Sequence, residues 1–295
     1  MKAPVQEEAL QQAVLKLIRL TSTDLSADVV DAIRRAASAE ADESPARKTL
    51  NLVLENITMA REHATPICQD TGACNFHVTL PMGVSLRQME RLIQQATREA
   101  VRQLFLRPNA VDAITGENSG DNVGIMSPYI NFSEWDNEAI RVQLILKGGG
   151  SENVSCQYSL PQTSLEAGRN LEGVYKCVID GVTRAQGQGC APGIIGVGIG
   201  GDRITGMLVA KKQLFRSLSD ENDLPVLRDL EAQLFRDLNT LGIGPMGFGG
   251  KTTVLGVKIG GAHRTPASFF VSVAYMCWAD RRRTMLFSDG EATYV

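Results

Sequence analysis

The chain is 295 residues long, 43% hydrophobic and 21% charged, an ordinary make-up for a folded globular protein and far from that of a disordered one. A formal net charge of -3 at pH 7 and a pI near 5.7 speak against a binder of nucleic acid or anionic membrane, which would carry a basic surplus. No window approaches the roughly eighteen uninterrupted apolar residues of a membrane span. The opening MKAPVQEEALQQAVLKLIRL mixes charges with apolar residues where a signal peptide has an apolar core. A cytoplasmic protein is expected, with no nucleic acid and no membrane among its partners.

Three helical patterns come first: EEALQQAVLKLIRL, then SADVVDAIRRAASAE with Ser26 or Asp28 as its start signal, then SPARKTLNLVLENITMARE with Pro45 at an early helical position. They predict a helical N-terminal layer over about residues 1–63. A loop with Pro66, Cys68 and Gly72 leads into a strand-like NFHVTL. The run SLRQMERLIQQATREAVRQLFL then has the apolar spacing of an amphipathic helix, stopped at Arg107-Pro108-Asn109. Thr115 to Gly124 is polar and rich in Gly and Asn. AIRVQLILKGGG alternates like a strand and ends in glycines, which predicts a loop with unusual backbone angles or close backbone approach. A helix is expected from about Ser164 to Arg184, then a β-rich IIGVGI, a helix capped by Asp202, a helix over LPVLRDLEAQLFRDLNTLG, and strands in TTVLGVKIGG and SFFVSVAYMC. No repeat, low-complexity run or linker divides the chain, so one domain over 1–295 is expected, of mixed α/β class with the helical layer packed on sheet.

Two glycine-rich stretches imitate nucleotide loops. GPMGFGGKTT, Gly244–Thr253, misses the Walker A spacing by one residue and follows a helical pattern where that loop should follow a buried strand. GVGIGG satisfies G-x-G-x-x-G with Gly196, Gly198 and Gly201, and a nucleotide-dependent oxidoreductase is the remoter alternative it supports. Against it, Cys190-Ala191-Pro192-Gly193 just upstream leaves no ordinary βαβ frame, and LSDENDLP downstream is a charged turn, not a strand ending in a ribose-binding acid.

Six cysteines without a secretion signal read as thiols or metal ligands more than as disulfides. Cys156 and Cys177 sit in regular patterns and read as small buried hydrophobes, and Cys74 is ambiguous. Cys68 in TPICQDTGA, Cys190 in GQGCAPG and Cys277 in AYMCWADRRR sit where regular structure breaks off. They are 122 and 87 residues apart, so no zinc-knuckle spacing is present, and from spacing alone three unrelated loop cysteines is the better reading. Three thiolates gathered by a fold would suit an iron-sulfur cluster with one iron left open.

Six ordered motifs change that balance: CQDTG from Cys68, LRPNAV from Leu106, the Asn/Gly stretch before KGGGSEN from Lys147, GCAPGIIGVGIGG from Gly189, LGIGPMGFGGKTTVLGV from Leu241, and CWADRR from Cys277. Over nearly its full length the chain resembles the α subunit of the two-subunit iron-sulfur hydro-lyases, the class I fumarase and L-tartrate dehydratase family. The resemblance implies that Cys68, Cys190 and Cys277, all on loops, hold a 4Fe-4S cluster, and that a C4 dicarboxylate is hydrated or dehydrated there. KGGGSEN looks more like the fumarase form, so fumarate plus water to L-malate is the expected reaction, with L-tartrate as the nearest alternative. A non-catalytic iron-sulfur sensor would keep the cysteines without needing Arg107 or Asp70.

Further roles follow from the same resemblance. Arg107 is the candidate for a substrate carboxylate, since a guanidinium offers two parallel hydrogen bonds. Gly148, Gly149 and Gly150 would let the backbone approach the ligand. Gln69 and Asp70 would contact substrate and tune proton transfer, although Asp70 could equally be a turn residue. Lys251 reads either as a carboxylate contact or as an exposed lysine. The family's histidine upstream of the last cysteine is Thr265 here, with His263 two residues earlier as its substitute. His63 and His77 read as structural. Single-chain members continue into a second domain that supplies the general base. A separate β subunit in an α2β2 assembly is therefore expected, with the charged DRRRTMLFSDGE as a contact segment or a solvated face.

Overall fold

The computed structural model describes residues 4–295, so the first residues of the charged N-terminal stretch lie outside the described part. In chain order the elements are α1 (Pro4–Thr23), α2 (Ala27–Ala39), α3 (Pro45–His63), β1 (Ala73–Pro81), α4 (Leu86–Arg102), β2 (Tyr129–Trp135) and β3 (Ile140–Lys147). They continue with α5 (Gly149–Asn153), β4 (Cys156–Ser159), α6 (Leu171–Ala185), β5 (Gly193–Gly200), α7 (Arg203–Gln213), α8 (Pro225–Asn239), β6 (Val254–Ala262), β7 (Phe270–Met276), β8 (Arg282–Ser288) and β9 (Glu291–Tyr294). The class is mixed α/β, as expected. Two compact units form: one from the described residues up to Ser26, Asn56–Gly148 and Arg281–Val295, the other from Ala27–Glu55 and Gly149–Asp280.

In the first unit the sheet order is β2-β1-β3-β8-β9, with β2 parallel to β1 and the other neighbours antiparallel. α1 and α4 cover it. Leu10, Val14, Leu17 and Ile18 recur at helical spacing on α1 and meet Met89, Ile93, Ala96 and Ala100 of α4 over Phe76, Val78, Val142 and Leu144 of the strands. α4 begins where Ser85 accepts the Gln88 N–H, a serine cap in front of an amphipathic run. Truncating a core leucine such as Leu17 to alanine should cost about 2–5 kcal/mol.

In the second unit the order is β4-β7-β5-β6, with β5 and β6 parallel and β7 antiparallel to β4 and β5. Both faces of this sheet are covered. Ile195, Val197, Val257 and Ile259 point at the buried stripes of α6 (Val174, Val178, Val182) and α8 (Leu227, Leu234, Leu238). On the other face Gly196 and Gly198 receive α7: a Cβ on Gly196 would lie 2.2 Å from the Ala210 carbonyl oxygen, and one on Gly198 2.2 Å from that of Gly206. The alternation of glycine and β-branched residues thus encodes one close helix and one ordinary one.

Several expectations change. β5 and β6 do form a parallel crossover unit, through α7 and α8, although none was expected after Cys190-Ala191-Pro192. The helix expected from Ser164 starts at Leu171, because Asn170 accepts the Gly173 N–H and caps it there. Gly148, Gly149 and Gly150 do not adopt positive φ, and the chain after Gly148 turns directly into α5. The charged tail is a β8–β9 hairpin turned at Asp289 and Gly290, both at positive φ. Within it Arg282 is 7% exposed, and Arg281 just before it only 1%, so its arginine run is no solvated face, while Ser288 to Glu291 at the turn are exposed. Thr284 and Val295 exchange both backbone hydrogen bonds at 2.8 Å and close the hairpin end.

Candidate functional site

In the first unit the CQDTG loop runs from α3 to β1. Ile67, 4% exposed, anchors it: its N–H donates to the Ser22 carbonyl (3.0 Å), and its carbonyl accepts from Asn56 Nδ2 (2.9 Å). Cys68 follows, half-buried, then the exposed Gln69. Asp70 Oδ1 accepts the Gly72 N–H at 3.1 Å, which makes it the turn residue the sequence allowed. Its other oxygen faces Gly148, where a Cβ would lie 2.7 Å away. The close backbone approach expected of the KGGG stretch is therefore real, and the group it approaches is Asp70.

Arg107 is bound to the same loop. Its N–H donates to Thr71 Oγ1 (3.1 Å) and its guanidinium donates to the Gln69 carbonyl (3.3 Å), leaving the exposed head beside Cys68-Gln69-Asp70. Asn109 Nδ2 donates to the Gly72 carbonyl (3.3 Å). Buried Asn122 accepts the Asn109 and Ala110 N–H groups (2.6 and 3.0 Å) and donates to the Arg107 carbonyl (2.8 Å). Asn122, from the Asn/Gly stretch, thus fixes LRPNAV, and Asn109 of LRPNAV ties it to CQDTG. From beneath, Arg281 donates to the Asp70 carbonyl at 2.7 Å, while its own carbonyl accepts the Leu146 N–H. Sequence reasoning missed this role for Arg281, although CWADRR carried the signal, because a run of arginines reads as surface.

In the second unit Cys190 and Cys277 lie at one end of the sheet. Cys190 adopts φ 55 ahead of β5, Cys277 follows β7, and the Trp278 N–H donates to the Cys190 carbonyl at 3.2 Å. Gly189 and Gly193 flank the Tyr275 ring so closely that a Cβ on either would lie 2.4 and 2.5 Å from its carbons. Burial pushes the Tyr275 hydroxyl pKa up, and the Cys277 and Cys190 charges nearby push it the same way. Gly149 and Gly150 are exposed at the start of α5, Gly150 facing the Gln188 carbonyl of the Cys190 loop. GPMGFGGKTT stands at this end too, with the Met246 N–H on the Ala191 carbonyl at 2.8 Å.

Two predicted residues are placed differently. His263 is exposed just past β6, its carbonyl accepting the Gly201 N–H (3.3 Å). That is the opposite end of β5, roughly 20 Å from Cys190 by strand rise. Lys251 donates its ammonium to the Ala39 carbonyl at the end of α2 (3.0 Å). The GVGIGG glycines are filled by α7, and Asp202 occupies that helix's N-terminus by accepting the Thr205 N–H at 2.7 Å. The dinucleotide alternative therefore loses its site.

The donor set fits an iron-sulfur group chemically. Cys68, Cys190 and Cys277 form no disulfide and are loop-borne and half-buried, whereas Cys74 and Cys177 are buried in regular elements with their thiols pushed up to about 12, burial being the main cause. Among the described residues no three His, Cys, Asp or Glu side chains converge on a point as ligands of a single ion do. A cluster spreads its thiolates over several irons and does not need such convergence.

A family model described as fumarate hydratase (Fumerase) matches residues 11–286. A Geobacillus stearothermophilus protein, provisionally named fumarate hydratase class I, is 50% identical over 279 residues, covering 93% of this chain and 54% of the relative. The chain thus spans about half the length of that relative. A Methanocaldococcus jannaschii protein, provisionally named L(+)-tartrate dehydratase subunit alpha, is 34% identical across 92% of this chain and 95% of its own length. The Escherichia coli K12 protein named L(+)-tartrate dehydratase subunit alpha is 32% identical across 95% and 93%. With the motifs of both units inside the matched range, the chain belongs to the fumarate hydratase (Fumerase) family.

Proposed function

We propose that this chain is part of a hydro-lyase acting on a C4 dicarboxylate, with fumarate plus water to L-malate as its reaction. The observation that carries the reading is the exposed Arg107 guanidinium held on the Gln69 carbonyl, in the loop that also carries Cys68 and Asp70, where it would meet a substrate carboxylate. The 50% identity to a relative named for fumarate supports that substrate. Dehydration of L-tartrate to oxaloacetate is the second reading, supported by the names of the M. jannaschii and E. coli relatives.

Cys68, Cys190 and Cys277 are the proposed ligands of a 4Fe-4S cluster. When bound, such a cluster with one iron free of protein ligands supplies a Lewis acid to the hydroxyl leaving group. Dehydration also removes a weakly acidic proton beside a carboxylate, and negative charge then builds on that carboxylate. Arg107 binds it through two parallel hydrogen bonds and is most effective where that charge develops. Gly149 and Gly150, exposed at the start of α5, leave room for the substrate against the backbone, whereas the space at Gly148 is taken by Asp70. Gln69 orients the substrate, and Asp70 influences the proton through its carboxylate. Lys251 could join the substrate's carboxylates only by exchanging its bond to Ala39. His263, at the far end of its sheet, receives no step in the chemistry on this chain.

The general base is none of these residues, and we infer that a β subunit supplies it in an α2β2 assembly. The relatives of matching length carry the name subunit alpha, which supports that inference. A reducing cytoplasm suits free thiols and an open iron. Steady-state turnover of L-malate and L-tartrate by the anaerobically purified chain, with its partner, tests the reading. Faster turnover of L-malate is expected. Faster turnover of L-tartrate would exchange the two readings, and turnover of neither would overturn both.

A further inference from the structure

The glycine-rich loop GPMGFGGKTT does cradle an anion, and the anion belongs to the protein. Glu40, one residue past α2 and 5% exposed, accepts the Lys251 N–H with both carboxylate oxygens (2.8 and 3.0 Å) and the Thr252 N–H with one of them (2.9 Å). Gly250 has φ 131, and a Cβ there would lie 3.0 and 3.1 Å from the two oxygens, so the seat exists only with glycine at that position. Successive backbone N–H groups form this kind of concavity around phosphates in other proteins. Here a carboxylate fills it from within.

The loop continues from this seat to Cys190. It closes on itself where the Gly249 N–H donates to the Ile243 carbonyl (2.9 Å), and the Met246 N–H then holds the Ala191 carbonyl (2.8 Å), one residue past Cys190. A Cβ on Gly187, in the same Cys190 loop, would lie 2.8 Å from Gly247 Cα, so the two loops touch backbone to backbone. Every group in this path belongs to the second unit. We propose that Glu40 is a positioning residue for Cys190: its carboxylate fixes the glycine-rich loop, and that loop fixes the backbone on which the Cys190 thiol is carried. The value of this to the protein rests on the assignment of Cys190 to the cluster in the preceding section. The mechanical coupling does not.

Glu40→Gln tests it, because the amide keeps the shape but puts an NH2 group where a carboxylate oxygen accepted backbone N–H groups. The first readout is the alkylation rate of each cysteine in the full, iron-free chain under anaerobic conditions, followed by peptide mass spectrometry. Cys190 should react about tenfold faster than in the wild type, because loss of charge-assisted bonds eases local opening, while Cys68 and Cys177 keep their rates. The surface control Asp42→Asn should change none. An unchanged Cys190 rate, or an equal rise at every cysteine, would overturn the proposal. Should Glu40→Gln not fold, hydrogen exchange on the unaltered chain serves instead. The amides of Met246, Lys251 and Thr252 should then exchange together, and an independently exchanging Met246 would contradict the coupling. Iron content separates the two layers. If neither wild type nor variant takes up iron while Cys190 alone reacts faster in the variant, the positioning role stands and the cluster assignment falls.

Discussion

Arg107 reads in sequence as the last residue of a helical run, and its value lies in what holds it. Its backbone is bonded to Thr71 and Asn122, so its guanidinium is aimed before any substrate arrives. Arg107→Lys keeps the charge and loses the fork, and kcat/KM should fall about 10- to 100-fold, with a larger loss in Arg107→Ala. Because the backbone bonds survive both changes, the thermal midpoint should hardly move. Unchanged kinetics in Arg107→Lys would take the fork out of the account. Cys74 makes a different claim. Burial raises its thiol from 9.0 to about 12, against the pull of the Arg281 charge. The folded chain keeps that proton more tightly than the unfolded chain, so the stabilisation is whole below pH 9 and is lost as pH rises from 9 toward 12. The shift is equivalent to about 4 kcal/mol at the alkaline end. Urea midpoints measured above pH 9 should therefore decline less steeply in Cys74→Val than in the wild type, and parallel declines would contradict the burial argument.

At the scale of elements, the pairing of β5 with α7 gives the glycines of GVGIGG a packing role. Gly198→Ala would put a methyl 2.2 Å from the Gly206 carbonyl oxygen and 2.8 Å from the Ala210 nitrogen, with only backbone to yield. A destabilisation of about 3 kcal/mol or more is expected in urea unfolding. Gly124→Ala, with nothing within 4 Å of its added methyl, should be near neutral. Equal stability of the two variants would refute the close-packing explanation. Periodicity made α1, α4, α8 and the first half of β3 legible, because each has a buried face that repeats at its own period, whereas β1 and β7, buried on both faces, were legible as short apolar and β-branched runs. It could not reveal that two glycine motifs serve close backbone contacts, since a motif specifies its residues and not its neighbours. The β8–β9 hairpin escaped for a related reason: Arg281 and Arg282 are buried by partners, and partners are invisible to hydropathy. Asp289-Gly290 was a readable turn signal inside that stretch.

At the scale of the molecule, the predicted ligands divide between the units: Cys68 in the first, Cys190 and Cys277 in the second. Each unit was partly readable in its own motifs. CQDTG and LRPNAV announced one constellation, and GCAPG with the Cys277 end of CWADRR the other, while Arg281 of CWADRR belongs to the first. What the sequence lacked was the scaffolding: Asn109 and Asn122 as a clasp, Arg281 beneath Asp70, and Tyr275 between Gly189 and Gly193. None of these residue types is diagnostic away from its contacts. The central proposal is that Cys68, Cys190 and Cys277 are the thiols that hold an iron-sulfur group. Its most direct test is the iron and acid-labile sulfide content of the anaerobically purified protein, compared among the wild type, Cys68→Ser, Cys190→Ser, Cys277→Ser and the buried-thiol control Cys177→Ser. The account predicts iron and sulfide in about equal amounts in the wild type and the control, and their loss in each of the other three variants. Full iron content in Cys68→Ser, or its absence from the wild type, would contradict it.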